Sequence, residues 1–148
     1  MDLLDSYNLD TDIREMYTSL SNKNVIRGMH FQIPPKDHAK YITVMTGAIL
    51  DVMLDLRRSS MTFGQCFSVE LDTADNNTLY LPKGIAHGFL SLQDNTLTQY
   101  AVTSTYAPDH DKGILWSSIP FEWPVASPII SGRDVDFPAF DDFESPFA

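Results

Sequence analysis

Residues 24–40, NVIRGMHFQIPPKDHAK, set Arg27, His30 and Gln32 into an otherwise apolar strand, with Lys40 just past a proline break. A plain sandwich core has no use for such groups, because burying them unpaired is costly. A cavity has a use for all of them. A histidine exchanges protons near neutral pH, and arginine and lysine stabilise or bind negative charge. A second motif, LPKGIAHGF, spaces Pro82, Gly84 and His87 as P-x-G-x-x-H. Its proline and glycine shape a tight turn, and His87 enters the strand that follows. Strict alternation places Arg27 and His30 on opposite faces of their strand. Gly28 between them therefore predicts a bulge that brings both to one pocket.

Metal binding is the first chemistry to test. Two imidazoles on one strand face, followed by an acidic ligand, would share an ion. Here that place reads His30-Phe31-Gln32, without the second histidine. His38 lies beyond two prolines, and His110 sits in the loop-like PDHDKG. The expectation is a site with no metal and no cofactor, in which histidines act as acids, bases or hydrogen-bond donors.

The elements that must position these residues are strands. Residues 48–56, AILDVMLDL, alternate with period two. Ala48, Leu50, Val52, Leu54 and Leu56 make an apolar face; Ile49, Asp51, Met53 and Asp55 make a mixed one. KYITVM precedes this strand through a hairpin-like turn at Thr46-Gly47, and MTFGQCFSVEL, TLYLP, FLSL and LTQYAVTSTY follow. The one helix candidate is DTDIREMYTSL, with Asp10 or Thr11 as a cap. Closely spaced strands between turns predict an all-β protein, a jelly-roll barrel or sandwich. The whole chain, 1–148, reads as one cupin-like domain with short irregular terminal segments. Its core spans about 24–118, and the Pro- and aromatic-rich segment 119–148 packs on the barrel. Arg57 and Arg58 read as a salt-bridged strand end, and Trp116 and Trp123 as packing.

Composition narrows the function. The chain has 148 residues and a net charge of −10, which repels nucleic acid and anionic membranes. An anionic ligand must therefore bind where the few cations gather. The single cysteine, Cys66, excludes an internal disulfide. The acidic opening MDLLDSYNLDTD does not resemble a signal peptide. The expectation is a soluble cytoplasmic protein.

Five blocks, NVIRGMHFQ, DVMLDLRRSSMTFGQ, LYLPKGIAHGFLSL, YAPDHDKGILW and ISGRD, occur in this order. Together they resemble the dTDP-4-dehydrorhamnose 3,5-epimerase family, metal-independent deoxysugar epimerases with a cupin fold. The resemblance runs from about Asn24 to Asp134. It implies inversion at C3, C5 or both of a nucleotide-linked 4-keto-6-deoxyhexose, in deoxysugar, O-antigen or lipopolysaccharide biosynthesis. It assigns His30 as base, paired with Asp134, and Tyr100 as opposing acid, with Lys40 at the enolate oxygen. It places Arg27, Gln32, Asp51, His87, Tyr106, Asp111 and Arg133 against the substrate. It also implies a symmetric homodimer, because family barrels exchange edge strands.

Two departures stand out. The family's D-x-R-G-x-F-type stretch has no counterpart in MDLLDSYNLDTDIREMY, and its Q-x-N is here Glu15-Met16-Tyr17. The nucleotide base, the sugar and the carbon inverted stay open. Two other readings stand beside epimerisation: a 3,4-ketoisomerase of a nucleotide sugar, and a non-catalytic sugar-nucleotide binding cupin.

Overall fold

A computed structural model describes residues 7–148; the first six residues of the acidic opening lie outside them. Ten strands follow in order: β1 (Glu15–Ser21), β2 (Val25–Gln32), β3 (Lys40–Thr46), β4 (Ala48–Asp55), β5 (Cys66–Asp72), β6 (Thr78–Leu81), β7 (Ile85–Ser91), β8 (Thr96–Val102), β9 (Asp111–Gly113) and β10 (Ile129–Ile130). A single-turn helix, α1 (Gly132–Val135), comes after β10. One sheet has the order β1-β8-β3-β6. The other has the order β10-β2-β7-β4-β5, with β9 also pairing β2. All pairings are antiparallel except β10 with β2. This is the all-β jelly roll expected from the strand spacing. No helix among the described residues is long and apolar enough to cross a membrane.

The alternation of β4 explains the layering. Ile49 joins Ile42, Val44, Leu71, Leu81, Phe89 and Tyr100 between the two sheets, and Met53 packs beside them. Val52, Leu54 and Leu56 point the other way, into a second core with Ile26, Phe31 and Leu90. Ile119, Trp123 and Phe147 from the C-terminal segment complete that second core. The larger sheet is thus covered on both faces. The mixed face of β4, with Asp51 on it, looks into the barrel, where the site must be. Trp116 and Trp123 meet edge to face, and Arg57 pairs with Asp55, both in structural roles.

Two local expectations are overturned. DTDIREMYTSL forms no helix, and Glu15–Ser21 is strand β1, paired along its length with β8. Its period-two face of Glu15, Tyr17, Ser19 and Ser21 turns toward the barrel, and ladder pairing outweighs a weak local cap. Thr46-Gly47 is no hairpin either, because β3 and β4 lie in different sheets. Gly47, at φ +80°, carries the chain across the barrel edge.

The bulge at Gly28 is present. The β2–β7 register shifts between Arg27 and His30. Gly28 has φ +135°, and a Cβ there would lie 2.5 Å from the Gly88 Cα. Only glycine fits, and the shift lets both Arg27 and His30 line the barrel interior.

Candidate active site

A cavity of about 350 Å³ opens between the sheets. The larger sheet contributes Arg27, His30, Gln32 and His87 to its wall, and the smaller sheet contributes Lys40 and Tyr100. Tyr106, Asp111 and Arg133 line it from the connecting segments, β9 and α1.

His30 is the best-organised titratable group. Its Nε2 donates to Asp134 Oδ1 at 2.8 Å, and the side chains are 28% and 3% exposed. Asp134 is held in turn. Its Oδ2 accepts from the Gly28 N–H at 3.1 Å, and its own N–H donates to Ser131 Oγ, which caps α1. Burial disfavours the Asp134 carboxylate, but bonds from His30, Gly28 and Ser131 hold its pKa below the usual value. Burial pushes the His30 pKa down against the pull of Asp134, and the Lys40 and Arg133 charges push the same way. His30 is therefore neutral at working pH. With Nε2–H committed to Asp134, Nδ1 is the nitrogen that can accept a proton.

Lys40 is buried, and its ammonium donates to the His30 carbonyl at 3.3 Å. Burial lowers its pKa to about 8, opposed by the charges of Asp111 and Asp51. Tyr100 is buried in the opposite wall. Its ring stacks on Tyr17 at 4.7 Å and meets His87 edge-on at 6.0 Å. Burial drives its pKa far above the usual phenol value, so it keeps its proton at any working pH.

His87 Nε2 lies 2.7 Å from Asp51 Oδ2, and both side chains are buried, at 4% and 0% exposure. Burial raises the Asp51 pKa despite His87 and Lys40. Asp51 does not reach the cavity: it stands behind His87, as Asp134 stands behind His30. The resemblance puts Asp51 in this pocket, and here its fully buried carboxylate, on the inner face of β4, positions the His87 imidazole.

Arg27 donates to Ser21 Oγ at 2.9 Å and to the Leu20 carbonyl at 3.0 Å. Among the described residues it has no carboxylate partner, so its charge is free for an anion. Arg133 pairs with Asp111 and lies over the Phe137 ring. The Gln32 amide is spent on the protein: its nitrogen donates to the Lys36 carbonyl at 2.7 Å, and its oxygen accepts from the Ala107 N–H at 2.8 Å. Tyr106 is exposed at the mouth, and its N–H donates to Glu15 Oε2 at 2.6 Å.

Seven lining residues lie outside the expected set: Glu15, Tyr17, Ser19, Phe31, His38, Phe89 and Val102. The first three were hidden by the helix reading of β1. Read with period two, they fall on one face. His38 Nδ1 is 3.1 Å from Ser104 Oγ, and burial, with the charges of Lys40 and Lys83, lowers its pKa to about 3. Among the described residues no three His, Cys, Asp or Glu side chains gather as a metal set.

A family profile described as dTDP-4-dehydrorhamnose 3,5-epimerase matches residues 2–142. The chain belongs to that family. Over 136 residues it is 40% identical to the dTDP-4-dehydrorhamnose 3,5-epimerase of Mycobacterium tuberculosis (strain CDC 1551 / Oshkosh), a match covering 88% of this chain and 67% of that protein. It is 38% identical over 120 residues to a dTDP-4-dehydrorhamnose 3-epimerase of Streptomyces niveus, covering 80% of this chain and 58% of that one. The crystal structure of the Bacillus anthracis enzyme, solved with TDP and PPi bound, superposes with a TM-score of 0.90 at 40% identity. That superposition covers 93% of this chain and 80% of the other. The epimerase family is thus an isomerase family on this jelly roll, and this chain is an isomerase of it.

Proposed function

We propose that the protein epimerises a nucleotide-linked 4-keto-6-deoxyhexose at a carbon beside the ketone. The observation that carries the reading is one cavity lined by His30, held by Asp134, from the larger sheet and by Tyr100 and Lys40 from the smaller one. His30 Nδ1 takes the acidic proton next to the ketone. The electron pair moves to the ketone oxygen, where the Lys40 ammonium stabilises the enolate. Tyr100 O–H delivers a proton to the opposite face, leaving a phenolate. His30 loses its proton to water and the phenolate regains one, so the catalyst is restored. Asp134 fixes the His30 tautomer and stabilises the imidazolium.

Arg27 and Arg133 supply the cations for a diphosphate, with the guanidinium geometry that suits phosphate oxygens. The Bacillus anthracis relative was solved with TDP and PPi, in support of such a ligand. Relatives include both 3,5- and 3-epimerases, so the carbon inverted is decided by measurement. Incubation with dTDP- and UDP-linked 4-keto-6-deoxyhexoses in deuterated water tests the reading. Deuterium is expected at C3, C5 or both, with inversion; absence of exchange with every donor overturns it.

A homodimer is part of the proposal. Met16, Leu20 and Met45 are exposed on the outer face of the smaller sheet, where β1 is an unpaired edge. An open edge beside an apolar face favours association. Light scattering is expected to give twice the chain mass, and a stable monomer at micromolar concentration refutes this.

A further inference from the structure

We propose that Tyr17 is a positioning residue that holds the Tyr100 ring in its protonating orientation and so sets how often a proton abstraction ends in inversion. The inference rests on the reading of Tyr100 as the proton donor. Tyr17 and Tyr100 are direct partners in the β1–β8 ladder. Their rings lie 4.7 Å apart and nearly parallel, at 17°. Both line the cavity, Tyr17 43% exposed and Tyr100 buried.

The contacts of Tyr100 differ in strength. Its hydroxyl is 3.5 Å from Ser19 Oγ, the outer limit of a hydrogen bond, which fixes little. The edge contact with His87 is firm, because Asp51 immobilises that imidazole. The stack on Tyr17 is the face contact of the phenol ring, and it comes from the edge strand β1. β1 is the edge of its sheet, so no further strand backs Tyr17. Tyr17 is thus the removable half of an aromatic clamp. Stacked aromatic pairs favour the aligned state by about 2- to 10-fold beyond simple burial.

The consequence is a partition of the enolate. With Tyr100 aligned, the enolate carbon takes the phenolic proton on the far face and inverts. With Tyr100 turned away, the protonated His30 returns a proton to the face it came from. In deuterated water His30 exchanges its proton for a deuteron, so the same-face return appears as deuterium without inversion. Loss of the stack therefore raises the ratio of deuterium wash-in to inversion, whereas simple loss of folded protein lowers both and leaves the ratio unchanged.

The test measures that ratio for Tyr17→Ala, Tyr17→Leu, Tyr17→Phe and Tyr100→Phe with a dTDP-4-keto-6-deoxyhexose in deuterated water. Tyr17→Ala and Tyr17→Leu are expected to raise it about 2- to 10-fold. Tyr17→Phe, which keeps the ring, is expected to stay within about twofold of the parent. Tyr17→Leu keeps apolar bulk and carries the comparison should the alanine variant fold poorly. A raised ratio in Tyr100→Phe with an unchanged ratio in Tyr17→Ala and Tyr17→Leu overturns this inference and leaves the acid assignment standing. Full inversion in Tyr100→Phe overturns the acid assignment itself, and the role of Tyr17 with it.

Discussion

His30 and His87 stand opposite each other in the β2–β7 ladder, and each imidazole is tied through Nε2 to its own carboxylate. The pairs are alike in geometry and unlike in setting. His30 is open to the cavity and Asp134 comes from distant α1. His87 and Asp51 are sealed between adjacent strands of one sheet. One pair is free to exchange protons with a ligand; the other holds the wall beside Tyr100.

Substitutions should separate the two pairs. His30→Ala is expected to lower kcat by roughly 10²–10⁴ with little change in thermal midpoint. Asp51→Ala strips a buried imidazole of its partner and is expected to cost roughly 3–5 kcal/mol of stability. Denaturant titration and steady-state kinetics on both variants check this. Equal losses of stability would contradict the division of roles.

Activity should follow pH as a bell. The acid limb belongs to His30, whose pKa lies below the ordinary 6.5, so kcat/KM rises with pH through a point under 6.5. The basic limb belongs to Lys40, which loses its charge through about 8 and with it the hold on the enolate. Lys40→Met should abolish the basic limb and lower the rate by roughly 10²–10³. A parent profile flat to pH 9 would remove Lys40 from the chemistry.

Gly28→Ala should damage fold and site together. The added Cβ meets the Gly88 Cα at 2.5 Å, and φ +135° is hostile to a side chain. The strain alone is worth roughly 1–3 kcal/mol. The Gly28 N–H also anchors Asp134, so the activity of the protein that still folds should drop as well. Kinetics below the melting transition would show a parent-like kcat if the bulge has no part in the dyad.

His38 should shape acid stability. Its folded pKa, about 3, lies below the ordinary 6.5. The unfolded chain thus binds a proton below about 6.5 that the folded chain refuses until about 3. The stability is present above the first value and is lost as pH falls toward the second. His38→Gln should flatten the fall in thermal midpoint between pH 6.5 and 4. An unchanged slope would mean that other groups carry it.

The period-two pattern of β4 and the glycine between Arg27 and His30 were enough to read the layering and the bulge. The P-x-G-x-x-H turn likewise announced His87 at a strand start. The β1 segment misled because Asp10 and Thr11 resemble a helix cap, while its real partner, β8, lies some eighty residues on (Ser19 and Tyr100 are 81 apart). Long-range pairing leaves no local mark. That is why Tyr17 and Ser19 were missed, and why Thr46-Gly47 passed for a hairpin. Asp51 was legible as a polar residue on the inner face, but its seal behind His87 depends on the neighbouring strand β7, whose pairing with β4 leaves no local mark.

The dyad joins residues 104 positions apart. During synthesis His30 leaves the ribosome long before Asp134 exists, and Ile26, Phe31 and Leu90 wait for Trp123 and Phe147 to cover them. The nascent barrel therefore carries an exposed apolar sheet for most of its translation. Its dependence on chaperones in the cell should track elongation speed more closely than the stability of the finished protein.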